Sequence, residues 1–511
     1  MVSFSNMRGE LKIRKVCTAS SSTAVQIIRY DSGKRIIVKH VGSAKTDDEL
    51  AVLFLEAERL REQLSQQLPL FPLHTTQTKL LHEEHLRLQS VTHLFAYRML
   101  RQCCKLCALE NIDSLYQDLA LMRIIEPASK LRTIDLLQWY FGVTYARRTI
   151  CRLLPKLLNQ KEIIEEAAYK TACTHFGEAF ALVLYDVTTL YFESHEPDDD
   201  LKARGFSKDD KSKQPQIVVG LLVTPQGFPL MHEVYKGNTF EGHTMLSVVD
   251  QFLKRHPKTN PIIVADAAML SQDNMNYLDE KGYWYIVGAR LANTSPSFIN
   301  QIDAQLKRID GCSIRLTYPN RSYDIICSYS EKRAKKDSRE MCKQLARAED
   351  LIARKEPGRR AKFVKKSPKL NDGFVLDEAL VERTKKLLGI KGYVTNIPEN
   401  VLSNEQVIIH YHELWHIEQS FRMSKTDLKT RPIFHHAHQA VKAHLLLCFM
   451  ALMMGKFLEI KTGMSLRKVR DILWNVHEVQ IQDSLTGKII SLQNNLDEFN
   501  TSPLRNFLKP H

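Results

Sequence analysis

From Val25 to Tyr30 and from Arg35 to His40 the chain carries β-rich runs on either side of Asp31-Ser32-Gly33, the pattern of a tight hairpin. Lys45 to Leu64 then spaces its apolar residues at helical intervals. Residues 1–75 therefore read as a small α+β module, with Pro69–Pro72 and His74–Lys79 as a linker. Residues 80–170 read as a helical domain: Asp118 to Met122, Leu131 to Phe141 with Gly142 as a stop, and Ala146 to Leu158. Between 180 and 294 the pattern alternates. Strands are predicted at 181–187, 216–224, 229–236, 262–266 and 283–288, and helices at 241–255 and 271–281. Thr224-Pro225-Gln226-Gly227 is a tight turn, which makes the second and third strands an antiparallel hairpin.

Residues 295–390 interrupt this α/β pattern. Two strand-like pieces, Ser313–Tyr318 and Tyr323–Tyr329, precede the charged stretch Glu331–Lys366. Residues 391–460 resume the pattern with a strand at Gly392–Asn396, a helix over Glu405–Asp427 and an apolar helix over Lys442–Phe457; residues 461–511 read as a helical tail. The 511 residues are 44% hydrophobic and 25% charged, ordinary for a globular protein of several folding units.

The net charge of +14 favours a polyanionic partner. Glu331–Lys366 holds fourteen Lys/Arg against six Asp/Glu, so more than half of the surplus lies there; Arg359, Arg360, Lys365 and Lys366 are its candidate DNA contacts. Arg147, Arg148 and Arg152 follow the helix and Gly-containing turn at 131–142 in a helix-turn-helix-like arrangement, suited to binding DNA. A membrane partner fits less well: Leu445–Met454 is too short an apolar run to span a bilayer, and Met1–Lys15 lacks a secretory apolar segment. Ten scattered cysteines imply reduced thiols, and the C-x-x-C within Cys103, Cys104 and Cys107 lacks a second ligand pair for zinc. The expected location is the cytoplasm, with the nucleoid.

Three acids stand in unusual settings. Asp186 interrupts the apolar run Ala181–Phe192, and Asp266 ends the apolar run Pro261–Ala265. A carboxylate in or at the end of a buried strand is costly unless a cation or hydrogen bonds meet it. Tyr411, Glu418 and Lys425 fall seven apart, two turns of a helix, so a phenol, a carboxylate and an ammonium are expected on one face.

Tyr185-Asp186-Val187-Thr188-Thr189, Val264-Ala265-Asp266 and the Tyr411–Lys425 helix resemble the three acidic blocks of the DDE transposases of bacterial insertion sequences. The match is closest to the insertion-sequence-four type with its Tyr-Arg-Glu-Lys signature. Arg204–Asp209, Gly227–Leu230, Gly237-Asn238, Gly392–Asn396 and Arg431–His435 resemble that group too, and the likeness spans roughly residues 100–455. Leu414 stands at the signature arginine, with Arg422, one turn past Glu418, as a candidate substitute. The resemblance implies a ribonuclease H-like core interrupted by a DNA-clamping insertion, with Asp186, Asp266 and Glu418 holding two Mg²⁺ or Mn²⁺ ions. Asp186 would bridge both ions, while Tyr411 and Lys425 would hold the neighbouring phosphate. It also implies double-stranded DNA as substrate and a homodimer on DNA.

Two alternatives remain open. One is a DNA-binding protein of the same fold that no longer cuts. The other is a zinc metalloprotease, because His412-Glu413-Leu414-Trp415-His416 matches H-E-x-x-H, although no neighbouring downstream ligand is evident.

Overall fold

The structure, a computed structural model, describes residues 11–18, 22–31, 33–65, 86–177, 181–193, 199–205, 214–257, 259–269, 271–354, 362–366, 374–484 and 487–509. The expected linker, Phe206–Asp209, Arg359 and Arg360 lie outside them. The chain divides into two compact units, residues 1–92 with 477–494, and residues 93–476 with 495–511.

In the first unit the expected hairpin is β2 (Thr23–Asp31) with β3 (Lys34–Ala44), and β1 (Lys12–Cys17) adds a third antiparallel strand. Helix α1 (Asp47–Ser65) covers this sheet, sharing a small core around Val25, Ile27 and Ala57. The unit's other sheet corrects two expectations. Leu86–Thr92, expected within a helical domain, is strand β4, and the expected helical tail contains β15 (His477–Asp483) and β16 (Ile489–Asn494). They form an antiparallel sheet in the order β16-β15-β4. The physical reason is pairing across distant sequence: β4 is a strand because β15 supplies its hydrogen bonds.

The second unit opens with helices α2 (Leu94–Leu106), α3 (Ser114–Ile125), α4 (Lys130–Phe141), α5 (Arg147–Leu153) and α6 (Lys161–Phe176). Ser129 caps α4 at its start, and Gly142 ends it at φ 69°. Helix α5 is shorter than predicted. Pro155 lies at the start of a 3₁₀ stretch, Leu154–Gln160, where its missing N–H and its ring oppose continued α-helix.

An eight-stranded mixed sheet follows. Its strands are β5 (Leu182–Tyr191), β6 (Gln216–Val223), β7 (Pro229–Lys236), β8 (Ile262–Ala265), β9 (Tyr285–Ala289), β10 (Ser313–Thr317), β11 (Asp324–Tyr329) and β14 (Ile390–Thr395), in the order β10-β11-β14-β9-β8-β5-β6-β7. β5, β8 and β9 run parallel, while β5-β6-β7 is an antiparallel meander. The strands of the expected insertion therefore extend the main sheet through β14. Helices α7 (Met245–Arg255), α8 (Gln272–Glu280) and α9 (Pro296–Gln305) connect or flank these strands.

The charged stretch forms α10 (Glu331–Ala353), whose buried Met341 and Ala348 share a satellite core with Phe363 and Val381. The hairpin β12 (Val364–Lys366) with β13 (Phe374–Leu376) and helix α11 (Glu378–Lys386) complete that layer. Next come α12 (Asn404–His412) and α13 (Trp415–Thr426), then α14 (His438–Thr462), α15 (Leu466–Trp474) and α16 (Leu496–Thr501). Helix α14 is long and apolar enough to cross a bilayer, yet 89% of its most apolar window is buried, as in a central core helix. Its His444 is buried beside Arg123 and Lys130. Lys130 Nζ lies 3.1 Å and Arg123 Nη2 3.4 Å from Nδ1, and Nε2 faces the Thr430 carbonyl at 3.1 Å. Burial, then the neighbouring Arg123, lowers the Lys130 pKa from 10.5 to about 7.

Candidate functional site

Asp186 is the half-buried acid of β5, a strand otherwise buried over Leu182–Leu190. The parallel pairing of β5 with β8 matches Tyr185 with Ala265, so the next step in register sets Asp186 beside Asp266. Neighbouring strands lie about 4.8 Å apart, and residues in register share a face. Asp266 follows β8 directly; its Oδ1 accepts from the Ala267 N–H at 2.7 Å and from the Tyr411 hydroxyl at 3.1 Å.

Glu418 comes from α13. Buried Ser420 docks this helix on the β6–β7 turn, donating to the Gly227 carbonyl at 2.7 Å. Gly227, at φ +82°, allows the approach: a Cβ there would stand 2.8 Å from the His416 carbonyl oxygen. Ile417, Phe421 and Met423 face inward, while Glu418 and Arg422 are exposed.

The single helix expected over 405–427 is two helices, broken at Glu413-Leu414, where His416 N–H bonds to Glu413 O and Ile417 N–H to Leu414 O in three-residue steps. Tyr411 and Glu418 thus belong to different helices, and the one-face expectation is corrected. Both still line one cleft of about 290 Å³ with Asp186, Asp266 and Lys391. The break also separates His412, whose Nε2 lies 3.2 Å from the Tyr393 hydroxyl, from His416, which packs on Trp415; the H-E-x-x-H match has no shared helix.

Other expected residues lie apart from this cleft. Lys425 lines a different, water-sized pocket with Thr188, Ser424 and Thr430. Arg422 is exposed and is not part of the cleft wall. Arg147 and Arg148 are exposed at the start of α5. Lys365 Nζ pairs with Asp377 at 3.2 Å, and Lys366 is exposed beside it on β12.

The residue that sequence reasoning missed is Lys391 on β14. Its Nζ lies 4.4 Å from the centre of the Tyr411 ring. Burial holds this ammonium below the ordinary lysine range and Arg333 pushes the same way, while Asp266 and Glu418 pull it back. A lysine inside the apolar strand Ile390-Lys391-Gly392-Tyr393-Val394 was the available signal. Tyr411 is buried, and burial followed by the Asp266 charge raises its pKa well above the tyrosine range, so it remains a hydrogen-bond donor.

The three acids present only carboxylate oxygens, the donors that hard divalent cations take. Among the described residues no group of three or more His, Cys, Asp or Glu side chains is gathered to hold an ion. The donor chemistry fits Mg²⁺ or Mn²⁺, and the side chains stand as an open cleft.

No curated protein matches the sequence. A cryo-EM structure of the piggyBac transposase synaptic complex with hairpin DNA is similar at a TM-score of 0.36 and 11% identity, over 75% of this chain and 70% of that one. The family profile described as "Transposase DDE domain" matches residues 181–454, more than half of the chain, from the start of β5 into α14. The chain belongs to the family of transposase DDE domains.

Proposed function

We propose that this protein cuts DNA at the ends of its own insertion sequence and joins those ends to target DNA, with Asp186, Asp266 and Glu418 as its metal-holding acids. The observation that carries the reading is the β5–β8 register, which sets two carboxylates side by side in the cleft that Glu418 also lines. The strand order β7-β6-β5-β8-β9, an antiparallel meander followed by two parallel strands, supports a ribonuclease H-like core. Two bound Mg²⁺ or Mn²⁺ ions would supply an activated water or 3′-hydroxyl and stabilise the departing oxygen. The chain's own part is positional. β5 fixes Asp186 rigidly, Tyr411 orients the Asp266 carboxylate by donating to it, and Ser420 seats the helix that presents Glu418. The surplus of positive charge supports double-stranded DNA as the substrate, and joining two ends calls for at least a dimer on DNA.

The decisive assay incubates a duplex carrying the element's end and its flank with Mg²⁺. Strand cleavage by the wild type, abolished in Asp186→Ala while DNA affinity is kept, is the expected result. One second reading keeps the same fold as a DNA-binding protein that does not cut. Binding without Mg²⁺-dependent cleavage in the wild type would establish it.

A further inference from the structure

The acidic cleft continues past Tyr411. Asp266, Lys391 and Tyr411 also line a second cleft of about 660 Å³, so the two form one groove joined at those residues. This second part is basic: Arg290, Arg333, Lys362, Arg383 and Lys391 face it. Of its acids, Asp337 is taken up by Arg333 at 3.4 Å, Glu340 by Gln344 at 3.2 Å, and Asp266 by Tyr411. Arg290 and Lys391 have no ion pair among the described residues.

The cations that line this part outnumber its acids five to three, which favours an anionic occupant. Lys391 on β14 and Arg290, just past the end of β9, both line it. Arg383, whose Nη2 donates to the Thr294 carbonyl, lines it as well.

We infer that this groove carries the backbone of the DNA strand leaving the acidic cleft, with Lys391 and Arg290 gripping phosphates next to the reacting one. The inference rests on the reading of the three acids given above. Lys391 is then the cation among the three residues shared by the two halves, close enough to the acids to feel both Asp266 and Glu418. A strand following this path passes between β14 and the face of α10 that carries Arg333.

The test uses the full chain carrying Asp186→Ala, so that DNA is bound and not cut, with a duplex of the element's end and flank as probe. Affinity is measured across a salt series. Lys391→Gln and Arg290→Gln should each lower the slope of log affinity against log salt by about one, and Lys391→Arg should restore it. A single neutral methylphosphonate beside the cleavage position should weaken binding to the Lys391 protein several-fold and have no further effect on Lys391→Gln. An unchanged slope in both glutamine variants, with melting temperatures intact, overturns the inference; so does a methylphosphonate loss equal in both proteins. Cleavage is scored separately on chains retaining Asp186. Wild type that never cuts with Mg²⁺ sinks the role of the acids and leaves the slope result standing. Cutting that needs Asp186, alongside unaltered slopes, removes the groove alone.

Discussion

Replacing Gly288 with alanine should disable the site through Tyr411. A methyl group at that position would meet the Tyr411 hydroxyl oxygen at 2.5 Å, Cζ at 3.1 Å and the Ala267 Cβ at 3.2 Å. The ring has little room to yield, because Tyr393 packs against it edge-on at 5.0 Å and the Lys391 ammonium lies 4.4 Å from its centre. The hydroxyl must therefore leave Asp266. Overpacking of this kind costs about 1–3 kcal/mol. The lost hydrogen bond adds about 1 kcal/mol, near the low end for a charged acceptor because Asp266 is exposed. Together they give a destabilisation of about 2–4 kcal/mol. Tyr411→Phe removes the clashing oxygen, so Gly288→Ala in that background should cost about 1 kcal/mol or less, a coupling of about 1–3 kcal/mol. Chemical unfolding of the four proteins measures it, and Mg²⁺-dependent cleavage should fall in both single variants. Strictly additive costs would show that the hydroxyl is not what the alanine meets.

Lys130 supplies a pH signature: its folded pKa of about 7 lies below the usual 10.5, so the penalty for burying its charge is absent above 10.5 and complete below about 7. Stability should rise with pH across that window by up to about 1.4 kcal/mol per unit, and Lys130→Met should flatten the rise; parallel curves for both proteins would refute the assignment. Replacing Arg147 and Arg148 together with alanine should weaken binding to the element's ends about tenfold or more without affecting folding, and unaltered affinity would move recognition elsewhere. Replacing Arg359, Arg360, Lys365 and Lys366 with glutamine should lower the salt slope by up to about four, with Lys365 contributing least because Asp377 already pairs with it. An unaltered slope would leave the segment as a solvated surface.

The central strands were legible because their signals are local. The apolar runs around Asp186 and Asp266 and the turn Thr224–Gly227 each carry their own pattern, and the paired acids follow from strands that could be read. Strand β4 was not, since Leu86–Thr92 leads into the helix starting at Leu94 and its partner lies at His477–Asp483. In the tail the alternation Val479, Ile481 was a strand signal overlooked within an assumed helix. The break at Glu413-Leu414 has no proline or glycine to announce it. It follows from two anchors, Tyr411 on Asp266 and Ser420 on Gly227, that exist only in the folded chain. Lys391 was hidden for the same reason, because only the sheet order brings β14 alongside β9 and toward the acids.

The pairing of β4 with β15 has a consequence for synthesis. A ribosome delivers Leu86–Thr92 long before His477–Asp483, and in the interval the early strand waits with its hydrogen-bonding edge bare. Leu88 and Val91, still exposed in the finished sheet, then lie on a strand without a neighbour. Nascent chains that stall or are clipped before residue 477 should accordingly be the ones that aggregate or recruit chaperones.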